Sequence, residues 1–164
     1  MYHESLQITT DGITLRGGGS DDASAVLEPP ALPPNNACTA ASGGQMNGVC
    51  VRGQLTPDFQ VIKPVAGVSI SRLRIPGFPA TGIIGFGTDK LSVTHVTALN
   101  DGGYGIARFL STSSRMVDNR TAGNEEAGLY VGDSPNADTV VSGNRTLEQR
   151  LRHLHPPRAQ VPGD

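Results

Sequence analysis

The chain has no tryptophan, and three tyrosines and four phenylalanines are all the aromatic side chains it has to fill a core. With an apolar share of 37% over 164 residues, a thick globular interior is hard to build, and something thinner is implied. No apolar run approaches the roughly 18 residues that span a bilayer. The opening MYHESLQITT has no charged segment leading into an apolar one, so no signal peptide is visible. A basic excess is missing too: 13 basic and 15 acidic side chains give a net charge of −2. Mixed along the chain, they argue against a nucleic-acid or anionic-membrane partner, both of which need a positive field. Glycine and proline, 21 and 12 residues, stay below the roughly 25–30% at which disorder becomes the default.

Cysteine is scarce. Cys38 and Cys50 bracket CTAASGGQMNGVC, a small-residue loop short enough to bring two thiols together. The alternatives are a disulfide and two unpaired thiols. A bridge would contribute about 3 kcal/mol through lost entropy of the unfolded chain and would point to an oxidising compartment. With no histidine near them in sequence, the pair makes no zinc site.

What is present is a repeat. Residues 81–103, 104–126 and 127–149 read TGIIGFGTDKLSVTHVTALNDGG, YGIARFLSTSSRMVDNRTAGNEE and AGLYVGDSPNADTVVSGNRTLEQ. Glycine and an aliphatic residue recur as Gly82-Ile83, Gly105-Ile106 and Gly128-Leu129, and another column reads Thr88, Ser111, Ser134. Short β-type runs follow in each block, and Val68, Ile70, Leu73 and Ile75 show the same alternation just before them. A period near 23 without a helical pattern predicts stacked coils of short parallel strands. The fold expected is therefore all-β, a parallel β-helix of about five coils over residues 1–150. In it the glycine permits the bend into each strand and the aliphatic after it points inward. The Leu-x-x-Leu-x-Leu frame of leucine-rich repeats is absent.

Asn100, Asn119, Asn124 and Asn144 read as turn residues that tolerate the left-handed conformation. Asn-Arg-Thr at Asn119 and Asn144 is formally a glycosylation sequon, which repeated turn chemistry explains without a sugar. Leu6, Ile8, Ile13 and Leu15 fit a first turn that ends at Gly17-Gly18-Gly19. Residues 24–57, with Pro29-Pro30, Pro33-Pro34 and the cysteine loop, read as an insertion on one coil. Residues 151–164 break the rhythm and read as an irregular tail. An uncapped last coil, open after Val141, would favour end-to-end self-association.

The YHESLQITTDGITLRG opening and the Gly-Ile coils at 23 residues resemble the right-handed parallel β-helix proteins of the pectin-lyase-like superfamily, over roughly residues 2–149. The resemblance implies an exported protein, secreted or periplasmic, that binds or acts on polysaccharide. Pectate lyases, polygalacturonases and uronan epimerases are among such proteins, and some periplasmic ones assist copper-enzyme maturation. It also implies a longer parent protein, with a signal peptide before Tyr2 and more coils after Arg150.

For catalysis on acidic glycans a lyase needs a strong base and a group that neutralises a carboxylate. The parts on offer are Lys90, Arg108 and Arg115 with Asp89, Asp101, Asp118 and Asp133. The Asn-Thr-Asp, Asp-Asp and Gly-His-Gly elements of polygalacturonases are absent from the coils, and Ser20-Asp21-Asp22 lies beside the cap. A lyase, epimerase or hydrolase using Arg108 or Lys90 with Asp133 or Asp118 is the alternative to a binding or structural role without catalysis. The ligand surface expected is Tyr104, Arg108, Tyr130 and Asp133, with Tyr130 facing outward for a sugar to stack on. Asp101, Glu125 and Glu126 fall at one edge facing Tyr104 and read as solvated turn acids rather than a calcium site. His95 lies near Asp118 in stacked register, with no nucleophile beside them. No cofactor or metal is called for.

Overall fold

The computed structural model describes residues 1–18 and 25–150. Gly19, Ser20 to Asp22 and the tail at 151–164 lie outside the described residues. The chain winds as a parallel β-solenoid of three sheets. The first sheet stacks Leu6–Ile8, Val49–Arg52, Ile83–Phe86, Ile106–Phe109 and Leu129–Gly132. The second stacks Thr14–Arg16, Ser69–Ser71, Ser92–Thr94, Arg115–Val117 and Val140–Ser142. The third runs Arg74–Pro76, Thr97–Leu99, Arg120–Ala122 and Arg145–Leu147. Ahead of it lies the pair Tyr2–His3 and Leu27–Glu28, joined to it through a bridge from Val26 to Arg74. Six rungs on this side make about six turns rather than about five, because Tyr2–His3 starts a rung before the first apolar alternation. Among the described residues, no helix is long and apolar enough to cross a membrane.

The register follows from the repeat. Val49, Ile83, Ile106 and Leu129 are successive partners in the first sheet, as are Leu15, Ile70, Val93 and Met116 in the second. The third sheet brings Ile75, Ala98 and Thr121 into line. Ile70, Ile75, Ile83, Ala98 and Ile106 have no exposed surface and form a thin aliphatic column through the interior. Each fully buried aliphatic of this kind is worth roughly 1.5–3 kcal/mol.

The glycine column has a different cause from the bend expected of it. Gly82 and Gly105 do not take the left-handed conformation. Instead, a methyl group at Gly105 would sit 2.7 Å from the Gly128 carbonyl oxygen, and one at Gly82 would sit 2.6 Å from that of Gly105. Successive coils touch there, backbone to backbone. Gly48 belongs to the same column, 2.5 Å from the Gly82 oxygen by the same measure, although 34 positions rather than 23 separate the two.

Polar ladders bind the corners. The Thr88 amide donates to Ser111 Oγ at 3.0 Å and the Ser111 amide to Ser134 Oγ at 3.1 Å. At the next corner Asn119 Oδ1 accepts from the Val96 amide and Asn144 Oδ1 from the Asn119 amide. At the third, Asp101 Oδ1 accepts from Phe78, Asn124 Oδ1 from Asp101 and Gln149 Oε1 from Asn124. Asn119 and Asn124 are therefore buried rungs, and the left-handed positions fall on the residues before them, Asp118 and Gly123. Only Asn100 of the four expected asparagines is itself left-handed. The Asn119 amide is 2% exposed and hydrogen-bonded through both of its ends, so it is no glycan acceptor.

The 24–57 insertion is corrected to two shorter ones. The ladder runs on through Leu27–Glu28 and Val49–Arg52, because Glu28 precedes the prolines and Val49 to Val51 are apolar enough to bury. The first insertion, 29–48, carries the helix Ala37–Ala41, capped by Asn36, whose Oδ1 accepts from the Thr39 amide at 2.9 Å. The second is an antiparallel hairpin of Gln54–Leu55 and Val61–Lys63. Cys38 and Cys50 form a disulfide, Cα to Cα 6.2 Å, which with a bond from the Cys38 amide to Gln7 Oε1 ties the helix to the outside of the first sheet.

Candidate functional site

Strand alternation sends every second residue outward. On the first sheet the outward set is Ile84 and Phe86, then Ala107 and Phe109, then Tyr130 and Gly132, in register from coil to coil. The disulfide and helix cover the earlier strands and pack against Ile84, Phe86 and Ala107, which are buried, while Phe109 and Tyr130 are half-buried. Phe86 stacks on Phe109 with ring centroids 5.5 Å apart, Phe109 meets Tyr130 at 5.1 Å, and Tyr130 stacks on Tyr104 at 4.7 Å. Gly132 makes room for this strip: a methyl group there would meet the Tyr130 ring at 2.2 Å.

Over the strip lies a cavity of about 570 Å³. Its floor is Ile84, Phe86 and Phe109. One wall is Ala41, Ser42 and Gln45 from the first insertion, the other Asp58, Phe59 and Gln60 from the hairpin tip. Tyr104, Glu126 and Asp133 complete the rim. Five of the seven aromatics, Phe59, Phe86, Tyr104, Phe109 and Tyr130, therefore gather at this place. Tyr2 and Phe78 are the two elsewhere; Phe78 is wholly buried in the interior.

Three carboxylates sit on the rim, Asp58, Glu126 and Asp133, and among the described residues no lysine or arginine lines the cavity. A hydrogen bond from Thr56 holds the Asp58 carboxyl below the usual range. Burial, and then Glu126 as its hydrogen-bond partner, pushes the Tyr104 phenol up to about 12, so it remains a donor. Arg52 and Lys63 line a different cavity, with Thr9 and Asp11.

Of the four expected ligand residues, the fold brings Tyr104, Tyr130 and Asp133 together and removes Arg108. Arg108 has no exposed surface. It follows Ile106 by two and so points inward, where it donates to Ser114 Oγ at 3.2 Å, to the Ala137 carbonyl at 2.9 Å and to Thr139 Oγ1. Burial lowers its pKa. Lys90 and Asp118 are exposed but line no part of the groove. Asp118 instead faces His95 at 3.9 Å, at the corner between the second and third sheets. The parts of a base-and-acid pair are thus not assembled around Arg108 or Lys90.

Asp101 is likewise no solvated turn acid. It has no exposed surface, and although Phe78 donates to its Oδ1, its Oδ2 has no hydrogen-bond partner. Desolvation pushes its pKa up to about 8. The residues that sequence reasoning passed over are Phe86, Phe109, Phe59, Asp58 and, as a groove residue, Glu126. Phe86 and Phe109 carried a signal: each stands three past an inward isoleucine, on the outward parity. The chain matches no family model, no curated protein and no solved structure.

Proposed function

We propose that the protein is an extracytoplasmic β-solenoid of the pectin-lyase-like type, right-handed as parallel crossovers favour, that binds a saccharide in the groove over its first sheet. The observation that carries this reading is the gathering of five of seven aromatics on one outer face. The half-buried rings of Tyr104, Phe109 and Tyr130 give apolar surface for a pyranose to lie against, and Gln45, Gln60 and Thr81 supply hydrogen-bonding partners for its hydroxyls. The disulfide supports an oxidising compartment. The role is binding without catalysis, consistent with the burial of Arg108 and the separation of Lys90 and Asp118 from the groove.

Titration of oligosaccharides into the intact protein tests it, with unsaturated-uronide and reducing-end assays alongside. Wild type binds at least one hexasaccharide, Phe109→Ala weakens that binding about tenfold, and no product is released. Binding that ignores Phe109→Ala, or turnover of any substrate, would overturn the reading.

A further inference from the structure

Resting on the saccharide reading, we infer that the groove selects a cationic saccharide, an oligomer of amino sugars carrying free amines. Charge discriminates among ligands in a cavity floored by aromatic rings. Asp58, Glu126 and Asp133 all lie on the rim. A smaller cavity of about 370 Å³ continues the groove, sharing Phe59, Gln60, Leu110 and Asp133 with it, and among the described residues it too is lined by no lysine or arginine. An acidic glycan laid here would carry its carboxylates against three others with no cation between them, a repulsion that specificity in binding sites uses to reject ligands.

A neutral sugar would stack but leave the three carboxylates to water. An ammonium group gains from the carboxylates and from the negative faces of the rings at once. Asp58 supplies its charge across the neutral range, since the Thr56 hydrogen bond favours the ionised form. A basic peptide would answer the same charge, but the usual extended mode of peptide capture adds a strand to a free sheet edge. The floor strands Ile83–Phe86 and Ile106–Phe109 are paired on both sides, so the sheet's free edge lies to the side of the floor, at Leu129–Gly132. A pyranose laid across the partly exposed rings over that floor needs no free edge, whereas an extended chain does.

The test compares three hexamers on the intact protein at mildly acidic pH: β-1,4-linked glucosamine, its fully N-acetylated counterpart and galacturonate. A lysine hexapeptide is the fourth probe. Glucosamine hexamer is expected to bind about tenfold tighter than the acetylated one, galacturonate not at all, and high salt to erase the preference. The triple variant Asp58→Asn, Glu126→Gln, Asp133→Asn should weaken glucosamine binding about tenfold and acetylated binding less than about twofold. These side chains are exposed and the replacements isosteric, so an unchanged melting curve confirms the fold. Acetylated or galacturonate hexamer binding as tightly as glucosamine, with loss in Phe109→Ala, overturns the cationic assignment and leaves a saccharide site. Failure of every hexamer removes the saccharide reading itself. A lysine hexapeptide that binds as tightly as the glucosamine and is lost in Phe109→Ala overturns the proposal in favour of a peptide site.

Discussion

The coils from Gly82 to Gln149 and the two insertions before them are built on opposite principles. In the coils each strand pairs with its equivalent in the neighbouring turn, and the polar ladders repeat at the repeat's own spacing. In the insertions the chain satisfies itself: Asn36 caps its own helix, and Thr56 Oγ1 accepts from the Gln60 amide across the hairpin tip. The two insertions flank one strand, Val49–Arg52, from the two ends at which the chain enters and leaves it. The coils alone would present a flat aromatic strip. The insertions wall it, with Ala41, Ser42 and Gln45 on one border and Asp58 to Gln60 on the other. In this molecule repetition makes the floor and interruption makes the cavity.

The glycines put the contrast most sharply and give the largest expected effect. Gly105 has an ordinary φ and no room, while Gly43 and Gly44 in the first insertion have φ of 64° and 85° with nothing near their missing side chains. Gly105→Val should therefore cost about 3 kcal/mol or more, since the obstacle is a backbone carbonyl that cannot step aside. Gly43→Ala should cost about 1 kcal/mol, from the left-handed backbone alone. Urea unfolding of both variants measures this. Equal losses would mean that the coils do not depend on backbone contact between turns.

The legible and illegible parts of the sequence divide along the same line. Where three coils follow one another at 23 residues, the columns Gly-Ile and Thr88, Ser111, Ser134 could be read directly, because stacking demands that equivalent residues fall at equal intervals. Gly48-Val49 is the same column, but the hairpin pushes it eleven positions out of step, and the rung was absorbed into one long insertion. Placing Arg108 on the ligand surface runs against the parity that sets it with Ile106. Alternation decides direction in a strand, and three hydrogen-bond acceptors in the last coils make the inward guanidinium tolerable. The groove itself was half visible. Tyr104, Tyr130 and Asp133 lie within the repeat, whereas Phe59 and Asp58 reach the site from a hairpin whose position no periodicity announces.

A second way to test the coils lies in their one discordant ladder rung. Asn124 and Gln149 next to it are amides, whereas Asp101 is a carboxylic acid with a fully buried, unpartnered Oδ2. Its pKa is raised to about 8 from 3.8, so the folded chain holds a proton that the unfolded chain releases. The stability from this proton is complete below about pH 4, declines as pH rises, and is gone above about pH 8. Asp101→Asn should flatten that decline and raise stability at pH 8 by about 2 kcal/mol. Melting curves from pH 4 to pH 9 check it: a wild-type stability that rises between pH 5 and pH 8 relative to the variant would refute the buried, protonated acid.

The smallest effect on folding should come from the hairpin tip, and it separates wall from floor. Phe59 is 44% exposed and stands at φ 61°, a left-handed position that a bulky residue occupies at a cost. The Phe59 amide donates to the Thr56 carbonyl at 3.0 Å, which keeps the tip closed with the ring over the cavity. Phe59→Ala removes the ring and keeps the strained backbone, while Phe59→Gly removes the ring and relieves the strain. Both should leave stability within about 0.5 kcal/mol, the glycine variant the more stable of the two. Both should weaken saccharide binding about fivefold to tenfold, because the wall loses its only aromatic face. If the glycine variant bound as wild type while alanine did not, a tip free to hold the left-handed conformation rather than the ring would be what the groove requires. Unchanged binding in both would reduce the hairpin to a spectator and leave the aromatic strip of the coils as the whole site.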